Sequence, residues 1–293
     1  MELFSEENAT AVVQARHQGC TDERLKQIMD VVIRHLHAAV KELELTPQEW
    51  EQAIGFLTGT GHLCSDTRQE FILLSDTLGV SMLVDAINHR RGGPATENTV
   101  LGPFHRKGVE LLPMGASIVR SGELDPPLFV SGKVTDTNGK PIEGATLDVW
   151  QASPDGLYDV QDPNQAPFNL RGLFQTGADG RFWFRSAKPA PYPIPYDGTV
   201  GKMLERLGRH PYRPAHIHFI VAAPGFETVT THLFVAGDPY LDSDAVFGVK
   251  ESLVVEFHHR DDPEAARKVD LPSPFWEAAH DFVLVPARGG RDA

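Results

Sequence analysis

The chain has 293 residues, 41% of them hydrophobic and 23% charged, which is ample for a sizeable core and ordinary for a globular protein. A formal net charge of −13 excludes the basic footprint of a nucleic-acid binder and is unfavourable for anionic lipid surfaces. Two cysteines, Cys20 and Cys64, form no CxxC pair, so reduced thiols are expected in place of a disulfide framework or a zinc site.

The opening residues, MELFSEENAT, are acidic and lack the basic start and apolar run of a signal peptide. No stretch approaches the roughly 18 apolar residues of a membrane span, so a soluble, cytoplasmic protein is expected. Helical periodicity covers about the first 90 residues. From Thr21 to Leu45, the residues Leu25, Ile28, Met29, Val32, Leu36 and Val40 fall on one stripe, with Thr21 as the expected N-cap. The run TPQE then predicts a capping box, with Thr46 as N-cap, Pro47 at the first helical position and Glu49 reaching back. A third helical run spans Thr67 to His89, with Phe71, Leu74, Leu78, Met82 and Ile87 among its apolar members and Gly79 at a possible break. Arg91 to Pro94 end the helical part.

Further along the chain the period becomes that of strands. LFVSGKVTD, ATLDVWQ, HIHFIVAAPG, THLFVAG, ESLVVEF and DFVLV read as strands, and FQTGADGRFWFRS as a hairpin turning at Ala178, Asp179 and Gly180. Helices followed by segregated strands give an α+β fold, with a helical N-terminal domain over residues 1–100 and an antiparallel β-sandwich over residues 101–293.

Within the strand region, His216 and His218 flank Ile217, and side chains at i and i+2 of a strand share a face, where two imidazoles can meet one metal ion. An HxH pair alone is more often two ordinary histidines. Here Arg213 and Pro214 precede it, Tyr192 and Tyr196 lie in the proline-rich run KPAPYPIPYDG, and Tyr158 follows a strand end in WQASPDGLYD. Phenol titrates near about 10, so phenolate ligands need a strongly Lewis-acidic cation. Two phenolates, one hydroxide and two neutral imidazoles suit Fe(III), unlike the two-His-one-carboxylate set of ferrous oxygenases.

The segments VSGKVTDTNGKPIEGATLDVWQASPDGLYD, PYPIPYDG, RPAHIHFIVAAPGFETVTTHLF and GDPYLDSDAVFGVK together resemble the intradiol ring-cleaving dioxygenases, over nearly the whole chain. The spacings agree, with 34 residues from Tyr158 to Tyr192 and 24 from Tyr192 to His216. The resemblance implies that Tyr158, Tyr192, His216 and His218 hold a non-haem Fe(III), that Tyr192 is the phenolate that substrate displaces, with Tyr196 as its rival, and that Arg213 stabilises negative charge on the substrate. The family often has glutamine where this chain has His232. The segment TENTVLGPFH and Asp76 in LLSDTLGV are more similar to the hydroxyquinol branch than to the catechol branch. On that basis Leu73, Asp76, Val100, Leu101, Gly102, Pro103, Phe104, Ile194, Pro195 and Val246 are expected to line the substrate pocket. A small aromatic diol or triol and O2 would be the substrates. Asp76 would accept a hydrogen bond from a third ring hydroxyl, a contact that discriminates strongly. The resemblance also implies a homodimer through the N-terminal helices, with a phospholipid between them. Catechol or chlorocatechol cleavage is the alternative in the same fold, and a non-catalytic β-sandwich binding module is the remote one.

Overall fold

The computed structural model describes residues 3–287 except 67, 91, 123 and 124; the expected helix start at Thr67 and stop at Arg91 fall outside the described residues. The chain divides into two compact units, Met1–His62 and Leu63–Ala293.

The first unit holds α1 (Ala9–Ala15), α2 (Glu23–Leu43) and α3 (Pro47–His62). Asp22, not Thr21, caps α2 and accepts from the Leu25 amide at 2.9 Å; both residue types suit an N-cap, and Asp22 is the one whose carboxylate reaches the orphan donor. The capping box forms as read: Thr46 N donates to Glu49 Oε2 at 2.9 Å and Glu49 N donates to Thr46 Oγ1 at 3.3 Å. The α2 stripe, from Leu25 through Val40, is exposed, as are Trp50, Ile54 and Leu57 on α3.

The second unit begins with α4 (Glu70–Thr77) and α5 (Val80–Asn88), separated at Gly79, whose φ of 73° is the left-handed conformation that glycine adopts without strain. Next come β1 (Pro127–Asp136), β2 (Thr146–Trp150), β3 (Arg171–Gln175), β4 (Arg181–Ala187) and β5 (Tyr192–Pro193). They are followed by α6 (Thr199–Arg206), β6 (Tyr212–Arg213), β7 (His216–Ala222), β8 (Val229–Val235), β9 (Val254–Val255) and β10 (Phe257–Arg260). Last are α7 (Pro263–Lys268), β11 (Phe275–Ala279) and β12 (Phe282–Leu284).

The α+β class holds. One sheet runs β10-β11-β1-β12 with β4 also on β1; the other runs β3-β2-β7-β8-β9; and β5 pairs β6 as a separate ribbon. Three pairs are parallel: β1 with β11, β1 with β12 and β8 with β9. The expected hairpin over FQTGADGRFWFRS is not one. Its two strands, β3 and β4, belong to different sheets, and Phe174 and Phe184 stack across the core at 5.2 Å. Alternation and turn residues fix where the strands lie but not which layer receives the second one. Between the layers, Leu128, Val130, Phe182 and Phe184 meet Leu147, Val149, Ile217, Phe219 and Val221 in a single core. On β7, Ile217, Phe219 and Val221 are core residues, so the period of two turns His216 and His218 to the opposite face of the sheet.

Candidate metal centre and its pocket

On that outer face, β2, β7 and β8 set Trp150, His218 and His232 in one row by register. Trp150 stacks on the His218 ring at 4.6 Å, which fixes the ring's plane. His216 is fixed otherwise: its Nδ1 donates to the Pro214 carbonyl at 2.7 Å, leaving the Nε2 lone pair to point inward.

The tyrosines arrive on loops. Tyr158 follows β2, and its neighbour Asp159 is buried and ion-paired to Arg171 on β3 and to Arg106, both at 2.6 Å. Gly156 lets this loop close on Tyr192: its φ is +82°, and a Cβ there would lie 2.9 Å from Tyr192 Cβ. Tyr192 opens β5, opposite Arg213 on β6. Phe104 stacks on the Tyr158 ring at 4.5 Å.

These elements close a ring of four donor atoms. Tyr158 Oη lies 2.9 Å from His218 Nε2 and 3.0 Å from Tyr192 Oη. Tyr192 Oη lies 3.4 Å from His216 Nε2, and the two imidazole Nε2 atoms are 3.1 Å apart. A cation bonded to N and O donors at about 2.1 Å, with neighbouring bonds near a right angle, separates adjacent donors by about 3.0 Å. The four atoms therefore fit one metal ion. Among the described residues, His216, His218 and His232 also bring ligand atoms within 4.8 Å of one another.

Burial governs the charges. It pushes the Tyr158 phenol well above its usual value, with Tyr192 adding to the shift, and raises the Tyr192 phenol against the opposing pull of Arg213. Burial, reinforced by Arg213, lowers His216 to about 3, and burial with the neighbouring imidazoles puts His218 and His232 well below the usual range. The phenols are thus neutral until a strong positive charge enters the ring, and the imidazoles stay neutral lone-pair donors. Arg213 is buried, which disfavours its charge, but Asp244 more than offsets this and holds the guanidinium above its usual value. Its Nε sits 3.1 Å from Asp244 Oδ1 and its Nη1 3.3 Å from His216 Nε2. Asp244 also accepts from the amides of Val246 at 3.3 Å and Gly248 at 2.8 Å, so one carboxylate orients Arg213 and folds the loop that carries Val246.

Beside the ring lies a pocket enclosing about 690 Å³, open mouth included. Tyr192, Arg213, Leu73, Asp76, Val100, Gly102, Pro103, Phe104, Ile194, Pro195 and Val246 line it. Leu101 does not line this pocket: it is 44% exposed and borders an adjoining groove. Tyr196 is 60% exposed and takes no part in the donor ring. Asp76 is buried at 8% exposure, and burial pushes its carboxyl up. Sequence reasoning did not find Asp244, or the pocket residues Arg68, Gln69, Glu70 and Ile72. Arg68 pairs with Glu70 and Asp197, each at 2.9 Å, and Glu70 accepts from the Val200 amide at 3.2 Å, tying α4 to α6. No signal short of the tertiary structure joins residues that far apart in the chain.

Residues 107–286 match the family model described as dioxygenase, and residues 22–96 match the catechol dioxygenase N terminus. The chain is 56% identical to hydroxyquinol 1,2-dioxygenase of Rhizobium sp. (strain MTP-10005), over 96% of each chain. It is 45% identical to an intradiol ring-cleavage dioxygenase of Aspergillus niger, over 97% of this chain and 86% of the relative. Among solved structures, hydroxyquinol 1,2-dioxygenase of Pseudomonas putida DLL-E4 superposes with a TM-score of 0.91 at 48% identity, covering 96% of this chain and 98% of the other. Catechol 1,2-dioxygenase of Acinetobacter sp. ADP1 gives a TM-score of 0.84 at 30% identity, covering 99% and 96%.

Proposed function

The chain belongs to the intradiol ring-cleavage dioxygenases, and on that premise we propose that its substrate is hydroxyquinol (benzene-1,2,4-triol). Cleavage with O2 between the two adjacent hydroxylated carbons gives 3-hydroxy-cis,cis-muconate, the enol form of maleylacetate, with both oxygen atoms incorporated. Tyr158, Tyr192, His216 and His218 hold a non-haem Fe(III), and the single observation that carries this reading is the closed four-donor ring abutting a pocket walled by Asp76. When bound, ferric iron supplies the Lewis acidity that ionises phenols and draws electron density from the substrate ring.

The chain's own groups do the rest. Tyr192 lines the pocket whereas Tyr158 does not and is stacked by Phe104, so Tyr192 is the phenolate that yields to substrate, its Oη taking a proton from the incoming diol. Arg213, charged and held by Asp244, stabilises negative charge that develops on the ring oxygens. The apolar walls Leu73, Val100, Ile194 and Val246 exclude water and hold the ring flat, and Asp76 accepts a hydrogen bond from the third hydroxyl. The helical first hundred residues provide dimer contacts and, through α4, one wall of the pocket; residues 101–293 provide the donors. The exposed apolar stripe of α2 supports a homodimer through the N-terminal helices, and the proposal extends to a phospholipid enclosed between them and to a cytoplasmic enzyme.

The test is a visible spectrum of the iron-loaded protein, repeated after anaerobic addition of hydroxyquinol and then of catechol. A broad tyrosinate-to-iron band is expected, with the larger shift on hydroxyquinol. A protein that stays colourless after iron is added would overturn the donor assignment.

A further inference from the structure

Arg68 stands where the pocket meets the adjoining groove, since it lines both. Its guanidinium sits between two carboxylates. Nε and Nη2 donate to Glu70 Oε2 at 3.1 and 2.9 Å, and Nη1 and Nη2 donate to Asp197 Oδ2 and Oδ1, both at 2.9 Å. The other Glu70 oxygen, Oε1, accepts from the Val200 amide at 3.2 Å and from Thr199 Oγ1 at 3.4 Å, at the first turn of α6. Gly198 makes room for this junction: its φ of −98° needs no glycine, but a Cβ there would lie 2.3 Å from Glu70 Oε1 and 2.6 Å from Arg68 Nη2. The three charged groups thus join two segments that wall the pocket. One is α4, with Ile72, Leu73 and Asp76; the other is the run that holds Tyr192, Ile194 and Pro195 and continues through Asp197 into α6.

We propose that this clasp determines specificity, Arg68 and Asp197 holding the two walls at a separation that admits the bare triol ring and resists rings bearing a further substituent. The inference rests on the pocket being the substrate site of the reaction above. The clasp has a firm half and a soft half. Glu70 is 1% exposed and its carboxylate accepts from Arg68, Thr199 and Val200, so it is a fixed point. Asp197 is 74% exposed, and its bond to Arg68 is of the kind that contributes little against water and that salt weakens. Leu73, Ile194 and Val200 pack in one apolar cluster, which joins the same segments whether or not the Asp197 bond is made. A larger ring must spread the walls and break that bond, whereas hydroxyquinol leaves it intact, so the cost falls on the larger ring alone. An apolar pocket by itself separates rings that differ by one methyl group only by a limited factor, and the clasp adds a further, salt-sensitive one.

The test measures kcat/KM of the iron-loaded enzyme on hydroxyquinol and on the monomethyl hydroxyquinols, one for each free ring position. Wild type, Asp197→Ala and Asp197→Glu are compared, with their melting temperatures. Asp197→Ala is expected to raise the methyl-to-parent ratio for at least one position about 3- to 5-fold, the scale of one well-formed pair at the surface. Asp197→Glu, which keeps a carboxylate, is expected to stay near the wild-type ratio. Raising salt from about 0.05 M to about 1 M is expected to move the wild-type ratio toward that of Asp197→Ala and to leave Asp197→Ala where it is. An unchanged ratio in Asp197→Ala would overturn the proposal. So would a wild-type ratio that salt does not move, or a rise in both variants matched by lower melting temperatures, which marks a structural role. Wild-type enzyme that cleaves no diol would instead strike the reading of the pocket on which the proposal rests.

Discussion

Replacing Asp76 separates its contribution to binding from its contribution to stability, because the two have opposite signs. The carboxylate is buried at 8% exposure on α4 and its acidity is weakened by that burial. A hydrogen bond from a neutral hydroxyl to a charged acceptor contributes about 1.5–3 kcal/mol, which corresponds to a factor of about 10–150. Asp76→Ala should therefore lower kcat/KM for hydroxyquinol by about 10- to 150-fold and leave catechol within about 3-fold, since catechol has no hydroxyl to lose a partner. Asp76→Asn keeps an acceptor without the charge and should fall between. On stability the sign reverses. A carboxyl whose folded pKa lies above its unfolded value favours the folded state at low pH, and that contribution is lost as pH rises through the folded pKa. At pH 7 Asp76→Asn should thus melt no lower than wild type. Steady-state rates on both substrates, with melting curves at pH 7, measure both effects. An equal loss on hydroxyquinol and catechol would refute the hydroxyl-recognition argument, and a lower melting temperature with it would show that Asp76 is structural.

Asp244→Ala leaves Arg213 buried and unpaired, so it should cost about 3–5 kcal/mol in chemical denaturation, well beyond a typical surface substitution. Asp244 has a lowered folded pKa, so its contribution is present above the unfolded value near 3.9 and is lost as pH falls through the folded value; the stability gap between wild type and Asp244→Asn should narrow below about pH 4. Gly156→Ala places a Cβ against Tyr192 at a positive φ and should cost about 1–3 kcal/mol, read as a drop of several degrees in melting temperature. Tyr192→Phe, loaded with iron, should lose part of the tyrosinate band and slow turnover, whereas Tyr196→Phe should change neither.

Local chemistry was legible in the sequence wherever one short segment carries it. The Thr46–Glu49 capping box, the break at Gly79 and the common face of His216 and His218 each depend on residues within four positions. Even there a one-residue ambiguity survived, because Thr21 and Asp22 are both good caps and only geometry chooses. The short helices α6 and α7 and the strand β11 escaped notice, since elements of five to eight residues leave too little periodicity to read. For α7 the signal was present: Asp262 followed by Pro263 is an N-cap and first-turn pair. The layer assignment of β3 and β4 was not legible, because it is settled by pairings with β2 and β1 that are distant in sequence. The same holds for Asp244, which becomes Arg213's partner only once β6 and the loop beyond β8 are folded.

The two halves of the donor set differ in how firmly they are held. The imidazoles come from the middle of a five-stranded sheet. Moving β7 by one residue would turn Ile217, Phe219 and Val221 out of the core, so the packing that stabilises the sandwich also fixes His216 and His218. The phenols come from loops, and these are unequal. The Tyr158 loop is held by the buried Asp159–Arg171 pair and by the stacked Phe104 ring. Tyr192 sits on a two-residue ribbon strand at the pocket's edge, with Arg213 as its register partner. The proposed centre, which would keep its metal and give up one ligand to substrate, would draw on this asymmetry. Three of the donor atoms are set by core packing and a buried ion pair, and the fourth, on Tyr192, is the one that the proposed mechanism exchanges. On this reading the choice between Tyr158 and Tyr192 as the exchangeable ligand follows from what each is attached to: Tyr158 to a loop held by a buried ion pair, Tyr192 to a two-residue ribbon beside Arg213.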